Sequence, residues 1–327
     1  MLNQLILSFV SLSLAQIVIP ITRIGYTPDQ VERRDFGVNA LTSNNAKLFY
    51  AFLGSISFGT PAQTFTVMFD KGSFKSWIRS SKCRGLYCGA GYNFFTGSMS
   101  STYKDLNIAA APITYADGSS LNGTICQDTV SLGGFSLANF QFQEATSLSE
   151  ASLDGLIGMG QVNTVGYGDL LMAKMVTSST PSMTSSVFSY WISSNNINGQ
   201  LVIGGVDTNK FSGNLTWSTT TGTPYWALKL GAIAVGSLNL TISTTYQVVL
   251  DTGTSLSYFP LTLAAELNAK LGGIKSSALS STGLDVYAIS CSATTTFTIT
   301  MGSNNYFSHQ QCIQFQLNIE LLFHYFT

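Results

Sequence analysis

Charge is what this sequence has least of. Only 9% of its 327 residues are Asp, Glu, Lys or Arg, against about 25% in an average soluble domain. The formal net charge is −1, which gives no electrostatic case for binding nucleic acid or an anionic membrane. Histidine is scarcer still: His309 and His324 are the only two, both near the C-terminus. A Ser-His-Asp triad, a Cys-His pair or a His-rich zinc site therefore has little to be built from. Long apolar runs are missing as well, and no stretch approaches the ~20 residues that a membrane-spanning helix needs. Ser, Thr, Asn and Gly fill the space left by charge. The result is a polar, sparsely ionised surface suited to acid or extracellular conditions.

Five cysteines are compatible with an oxidising compartment. Cys83 and Cys88 are close enough in sequence to close a small loop, and Cys291 with Cys312 is a second candidate pair. Cys126 is left over, either as a buried thiol or because its partner lies outside the chain. No further ligands stand near Cys83 and Cys88, so no metal site is expected. At the N-terminus, Leu5–Leu14 is apolar apart from serines, and Ser13-Leu14-Ala15 is a small-x-small cleavage pattern. Residues 1–15 thus read as a signal peptide, with a buried N-terminal strand as the alternative. Sequons at Asn122, Asn214 and Asn239 fit export as a glycoprotein.

Residues 16–47 differ from the rest. Arg23, Arg33 and Arg34 cluster there with Asp29, Glu32 and Asp35, and the segment reads as a propeptide or an ordinary N-terminal extension. From Leu48 onward the pattern is all-β: short runs of Val, Ile, Phe, Tyr and Thr between Gly, Asn, Ser and Asp turns. Helical periodicity is confined to Leu261–Leu271 and, more weakly, Tyr167–Val176.

The organising feature is an internal repeat. The run Phe65-Thr66-Val67-Met68-Phe69-Asp70-Lys71-Gly72-Ser73 lines up with Tyr246-Gln247-Val248-Val249-Leu250-Asp251-Thr252-Gly253-Thr254. In each, a largely apolar strand runs straight into Asp, one residue, Gly and a hydroxyl residue. An Asp ending a buried strand is costly unless hydrogen-bonded, and the following Gly and Ser/Thr offer backbone N–H groups and a hydroxyl for that purpose. One such loop is a common turn; two with matched strands predict a lobe around each, over residues 48–222 and 223–327. Packed with pseudo-twofold symmetry, the two carboxylates would meet and share a proton, a splitting for which pepsin is a standard illustration. The ionised member can then activate water while the protonated member polarises a peptide carbonyl. No metal, cofactor or covalent nucleophile is required.

These residues, with others in the same order, give the chain a resemblance to the pepsin family of aspartic proteases over about residues 49–307. Gly59-Thr60-Pro61 resembles the family's first turn, and Ser76-Trp77-Ile78 follows Asp70 where the family has its Trp. Ile113-Thr114-Tyr115-Ala116-Asp117-Gly118-Ser119 resembles the flap that closes over substrate. Asp154-Gly155-Leu156-Ile157-Gly158-Met159-Gly160 resembles the element threading beside the first catalytic loop. Gly204-Gly205 and Tyr225-Trp226 match the end of the first lobe and the crossover. The resemblance implies a bilobal all-β fold and a secreted or lysosomal/vacuolar zymogen, monomeric, cleaving peptides or proteins without a cofactor. It makes Asp70 and Asp251 the catalytic pair. Gly72, Ser73, Tyr115, Asp117, Gly253 and Thr254 become the substrate contacts, with Trp77 holding Tyr115 and Thr252 gripping the opposite loop.

Two departures stand against this. Lys71 replaces the Thr whose hydroxyl would grip the opposite loop, and an ammonium near the pair would favour ionised carboxylates unless it snorkels out to solvent. Ile313–Thr327 carries no second threading element, so the second lobe is expected to be incomplete. An aspartic endopeptidase active at acid pH is therefore weighed against a catalytically impaired or inactive homologue that binds peptides. A β-rich carbohydrate-binding module would leave the Asp repeat without explanation.

Overall fold

The computed structural model describes residues 17–26 and most of 49–308. The expected signal peptide, most of the expected propeptide, both histidines and the side chains of Asp117, Cys291 and Cys312 lie outside the described residues. Among the described residues the architecture is mostly strands with two short α-helices, in two lobes.

The first lobe is one twelve-stranded sheet system. Its strands are β1 (Ile17–Tyr26), β2 (Phe49–Phe58), β3 (Gln63–Asp70), β4 (Trp77–Arg79), β5 (Lys104–Ala109) and β6 (Ile113–Thr114). They continue with β7 (Ser120–Leu132), β8 (Phe135–Leu148), β9 (Gly155–Gly158), β10 (Ser179–Thr180), β11 (Phe188–Ile192) and β12 (Asn198–Ile203). Strand β1 falls within the segment read as a propeptide, yet it pairs with β2 on one side and β12 on the other. Its side chains alternate: Ile17, Ile19 and Ile21 are buried while Val18, Pro20 and Thr22 face out. That is the period-two pattern of a half-buried strand.

Strand β3 shows how the sequence builds the first site. Its early residues alternate between faces, but Val67, Met68, Phe69 and Asp70 are all buried. The cause is pairing on both edges, antiparallel to β2 and parallel to β9, with Phe69 opposite Ile157 and Asp70 opposite Gly158. Beneath lies an aromatic cluster of Phe58, Phe65, Phe95 and Phe142, with Phe58 and Phe142 ring centroids 4.8 Å apart. Each such side chain contributes roughly 1.5–3 kcal/mol by leaving water. The long β7–β8 hairpin turns on Gly133 and Gly134, with φ of 54° and 85°, the left-handed pair that a two-residue hairpin turn demands.

Helix α1 (Leu171–Ser178) begins later than the periodicity from Tyr167 suggests. Gly168 has φ of 89°, a conformation no right-handed helix contains, and Asp169 is occupied in accepting the Gln141 N–H at 2.8 Å.

The second lobe is centred on β13 (Ala227–Val235), which pairs with β14 (Leu238–Asn239), β15 (Gln247–Val249) and β18 (Phe297–Met301). The short pair β16 (Ile274–Lys275) and β17 (Tyr287–Ala288) stands apart, and β19 (Asn304–Ser308) extends β18. Helix α2 (Leu261–Leu271) forms where the periodicity predicts it. Leu263, Leu267 and Leu271 recur every four residues and bury against Leu230 and Ile233, and Gly272 ends the helix in the left-handed conformation. The strands leading into the two Asp loops differ in cover. Among the described residues β15 pairs with β13 alone, and Leu250 is 47% exposed where its counterpart Phe69 is 1%.

Candidate active site

Asp70 ends β3, and Asp251 lies two residues beyond β15. Each carboxylate is held by its own loop in the same way. The Gly72 N–H donates to Asp70 Oδ1 at 2.8 Å, and the Gly253 N–H donates to Asp251 Oδ1 at 2.6 Å. The loops also face each other. A Cβ on Gly72 would overlap the Asp251 carboxylate, and one on Gly253 would overlap that of Asp70. Glycine is required here for close approach, not for an unusual φ. The sequence repeat therefore becomes a pair of touching loops.

Two carboxyl groups this close cannot both ionise easily. Asp70 is 5% exposed. Burial, then the neighbouring Asp251 charge and hydrogen bond, hold its carboxyl well above the usual carboxylate range, against the opposing Gly72 N–H. The arrangement suits a pair that carries one proton between them.

The surrounding contacts fix the first loop. The Met159 N–H donates to the Asp70 carbonyl at 2.8 Å, and the Gly160 N–H to the Ser73 carbonyl at 2.8 Å. Gly158 and Gly160 lie so close to residues 73–75 that a Cβ at either would strike backbone. Ser73 is buried, and its hydroxyl accepts the Lys75 N–H at 3.1 Å instead of bonding the carboxylate. Ser76, also buried, accepts the Gly158 N–H at 3.1 Å. The crossover joins here too, with Trp226 Nε1 donating to the Met159 carbonyl at 2.6 Å. On the other side, Trp77 Nε1 donates to the Tyr115 hydroxyl at 2.8 Å, tying the hairpin of β6 and β7 to β4. Thr254 adjoins the second loop, and the side chain of Asp117 lies outside the described residues.

The grip between lobes is asymmetric. Thr252 donates its hydroxyl to the Phe69 carbonyl at 2.8 Å and accepts the Lys71 N–H at 3.0 Å. Lys71 has no hydroxyl with which to return that contact. Its side chain is half-buried, with Nζ 5.9 Å from the centroid of the Tyr190 ring. Burial pulls the Lys71 ammonium below the ordinary lysine range, opposed by attraction to Asp251. The ammonium is thus coupled to Asp251, while Asp70 keeps its raised value.

Tyr190 had no place in the sequence reading. A lone Tyr in an apolar strand is usually packing, and only the fold shows its hydroxyl donating to the Phe69 carbonyl at 2.6 Å. Burial, followed by the field of both carboxylates, pushes the Tyr225 hydroxyl up as well. Away from the site, Cys83 and Cys88 form a disulfide and Cys126 is a buried free thiol. No group of three or more metal-ligating side chains occurs among the described residues.

Comparison with known proteins agrees with this geometry. The sequence profile of the family "Eukaryotic aspartyl protease" matches residues 51–318, reaching past Phe307, where the individual motifs give out. A probable vacuolar protease A of Trichophyton verrucosum is 32% identical over 77% of the chain and 66% of its own length. Cathepsin E-B of Xenopus laevis is 34% identical over 76% of the chain and 63% of its length. Pepsin A of Sus scrofa is 32% identical over 69% of the chain and 59% of its length. The chain thus spans about three fifths to two thirds of the length of these relatives. With the profile covering most of the chain and both Asp loops in contact, the chain belongs to the eukaryotic aspartyl protease family.

Proposed function

We propose that this chain is an aspartic endopeptidase that hydrolyses peptide bonds at acid pH. The observation that carries the reading is the mutual approach of the loops, each glycine seated against the other loop's carboxylate. Water held between the carboxyl groups gives a proton to ionised Asp251 as its oxygen bonds to the peptide carbonyl carbon. Protonated Asp70 gives its proton to the carbonyl oxygen, forming a tetrahedral diol. Collapse of the diol breaks the C–N bond. One hydroxyl proton returns to Asp70, and the proton on Asp251 passes to the leaving nitrogen. Gly72, Ser73, Gly253 and Thr254 line the substrate path, and Tyr115 and Asp117 cover it. Trp77 holds Tyr115, and Thr252 keeps the lobes in register.

In this reading the substrates are peptides or unfolded proteins and the enzyme is a monomer that needs no cofactor. Residues 1–15 direct export and 16–47 are the propeptide of a zymogen. Residues 48–222 and 223–327 are the lobes, and Cys291 pairs with Cys312. The relatives named for vacuolar and cathepsin-type proteases support a secreted or vacuolar destination. Asn122, Asn214 and Asn239 are all exposed, as glycan acceptors must be. The test is cleavage of denatured globin from about pH 2 to 6, with and without a hydroxyl-bearing transition-state mimic. Cleavage blocked by the mimic is the expected result. Well-folded protein without mimic-sensitive cleavage overturns it.

Lys71 favours a second reading, an impaired homologue that binds peptides without cutting them. A half-buried cation beside the pair and a lobe grip made by Thr252 alone both oppose catalysis. If Lys71→Thr raises cleavage from near zero to a measurable rate, this second reading is the correct one.

A further inference from the structure

Beneath the first Asp loop lies a contact from outside the Asp repeat. Tyr190, on β11, reaches under the loop and donates its hydroxyl to the Phe69 carbonyl at 2.6 Å. The same carbonyl accepts Thr252 at 2.8 Å, so both lone pairs of the residue before Asp70 are engaged, one from each lobe. Lys71, on the other side of Asp70, extends along Tyr190 with Nζ 5.9 Å from the ring centroid. One tyrosine therefore touches the residues on both sides of Asp70.

We propose that Tyr190 is a positioning residue for the Asp loops: its hydroxyl fixes the Phe69 carbonyl, and its ring seats Lys71 so that the ammonium lies toward Asp251. Where Lys71 cannot supply a hydroxyl grip, Tyr190 supplies a second anchor from within the first lobe. The ring face offers the cation a partner worth more when desolvated than in water. Among the described residues, Asp251 from the opposite loop and the Tyr190 ring from β11 face Lys71, Asp70 adjoins it in the chain, and Tyr225 faces the carboxyl pair from the crossover. The hydroxyl is a lasting donor, because burial, followed by the two carboxylates, keeps it protonated against the opposing Thr252 bond.

The role deepens the protease reading and rests on it, so its test has a readout that does not need turnover. In the full chain with labelled lysine, Lys71 Nζ is titrated by NMR in the unaltered protein, in Tyr190→Phe and in Tyr190→Leu. Affinity for an uncleavable hydroxyl-bearing peptide mimic is measured in parallel. Tyr190→Phe keeps the ring and is expected to leave the Lys71 titration in place while weakening mimic binding and kcat about three- to tenfold, with KM little changed. Tyr190→Leu is expected to move the Lys71 titration and the acid limb of the pH profile as well. Should both variants leave titration and affinity unmoved, the role is overturned. If the unaltered chain cleaves nothing yet both readouts follow Tyr190, the protease reading fails and the positioning role stands. Tyr190→Phe removes one oxygen without opening a cavity, so its result is readable even if Tyr190→Leu does not fold.

Discussion

Gly72 stands against Asp251 so closely that a methyl group in place of its hydrogen would overlap the carboxylate, and Gly253 has the same relation to Asp70. The glycines are what let two acids, one buried and one half-buried, share one space. Gly253→Ala is therefore expected to push the loops apart while leaving the strands intact, since the cause is contact and not backbone conformation. A displacement of about 1 Å at a reacting centre costs on the order of 100-fold in rate. Steady-state cleavage of a peptide substrate, with circular dichroism as the folding control, measures it. Near-normal turnover by Gly253→Ala would remove the basis for pairing the two loops.

How legible this was in the sequence depends on the feature. The matched strands and Asp loops were visible because an acid ending an apolar strand is rare without purpose. Trp77, Tyr115 and the helix at Leu261–Leu271 could also be named in advance. Strand β1 was hidden by its charged neighbours. Arg23 and the acids and arginines after it set the segment apart, although Ile17, Ile19 and Ile21 already carried the strand's alternation. Tyr190 could not be found at all, because its partner is a backbone carbonyl 121 residues away and no side-chain pattern marks such a contact. The unequal cover of β3 and β15 is likewise a matter of pairing partners, which local patterns do not encode.

Asp70 makes stability depend on pH with a definite sign. Its folded carboxyl holds a proton to higher pH than the ordinary value of about 3.9, because of burial first and Asp251 second. The folded state then binds more protons than the unfolded chain across that window, so stability falls as pH rises through it. Asp70→Asn is expected to abolish cleavage and to flatten this part of the profile. Thermal midpoints of both proteins from about pH 4 to 7 give the answer; parallel curves would show that Asp70 is not the proton-holding group.

Trp77→Phe removes the donor to Tyr115 but keeps an aromatic ring against the hairpin of β6 and β7. The expected loss of stability is small, about 0.5–1.5 kcal/mol for one hydrogen bond. The larger effect should fall on kcat/KM, because the hairpin then loses its fixed tie to β4. Comparing chemical unfolding with substrate kinetics separates the two. A change confined to stability would make the bond purely structural.

Lys71→Thr tests the asymmetry of the grip most directly. The new hydroxyl can return the contact that Thr252 already makes to the Phe69 carbonyl, and one such bond contributes about 0.5–1.5 kcal/mol. Removing the ammonium adds a pH-dependent part whose sign follows from its depressed folded value. A lysine held below its ordinary range destabilises the fold fully at acid pH, where it is protonated in both states. The penalty fades as pH rises from the folded value toward ~10.4. The gain from Lys71→Thr should therefore be largest at acid pH, where the proposed reaction runs, and shrink toward alkaline pH. Because Lys71 is only half-buried, water screening reduces this part, and the hydroxyl bond sets the floor. Urea unfolding at several pH values, beside cleavage rates, measures both contributions. A gain in stability that is the same at every pH would mean that the ammonium is solvated and plays no electrostatic part beside the carboxyl pair.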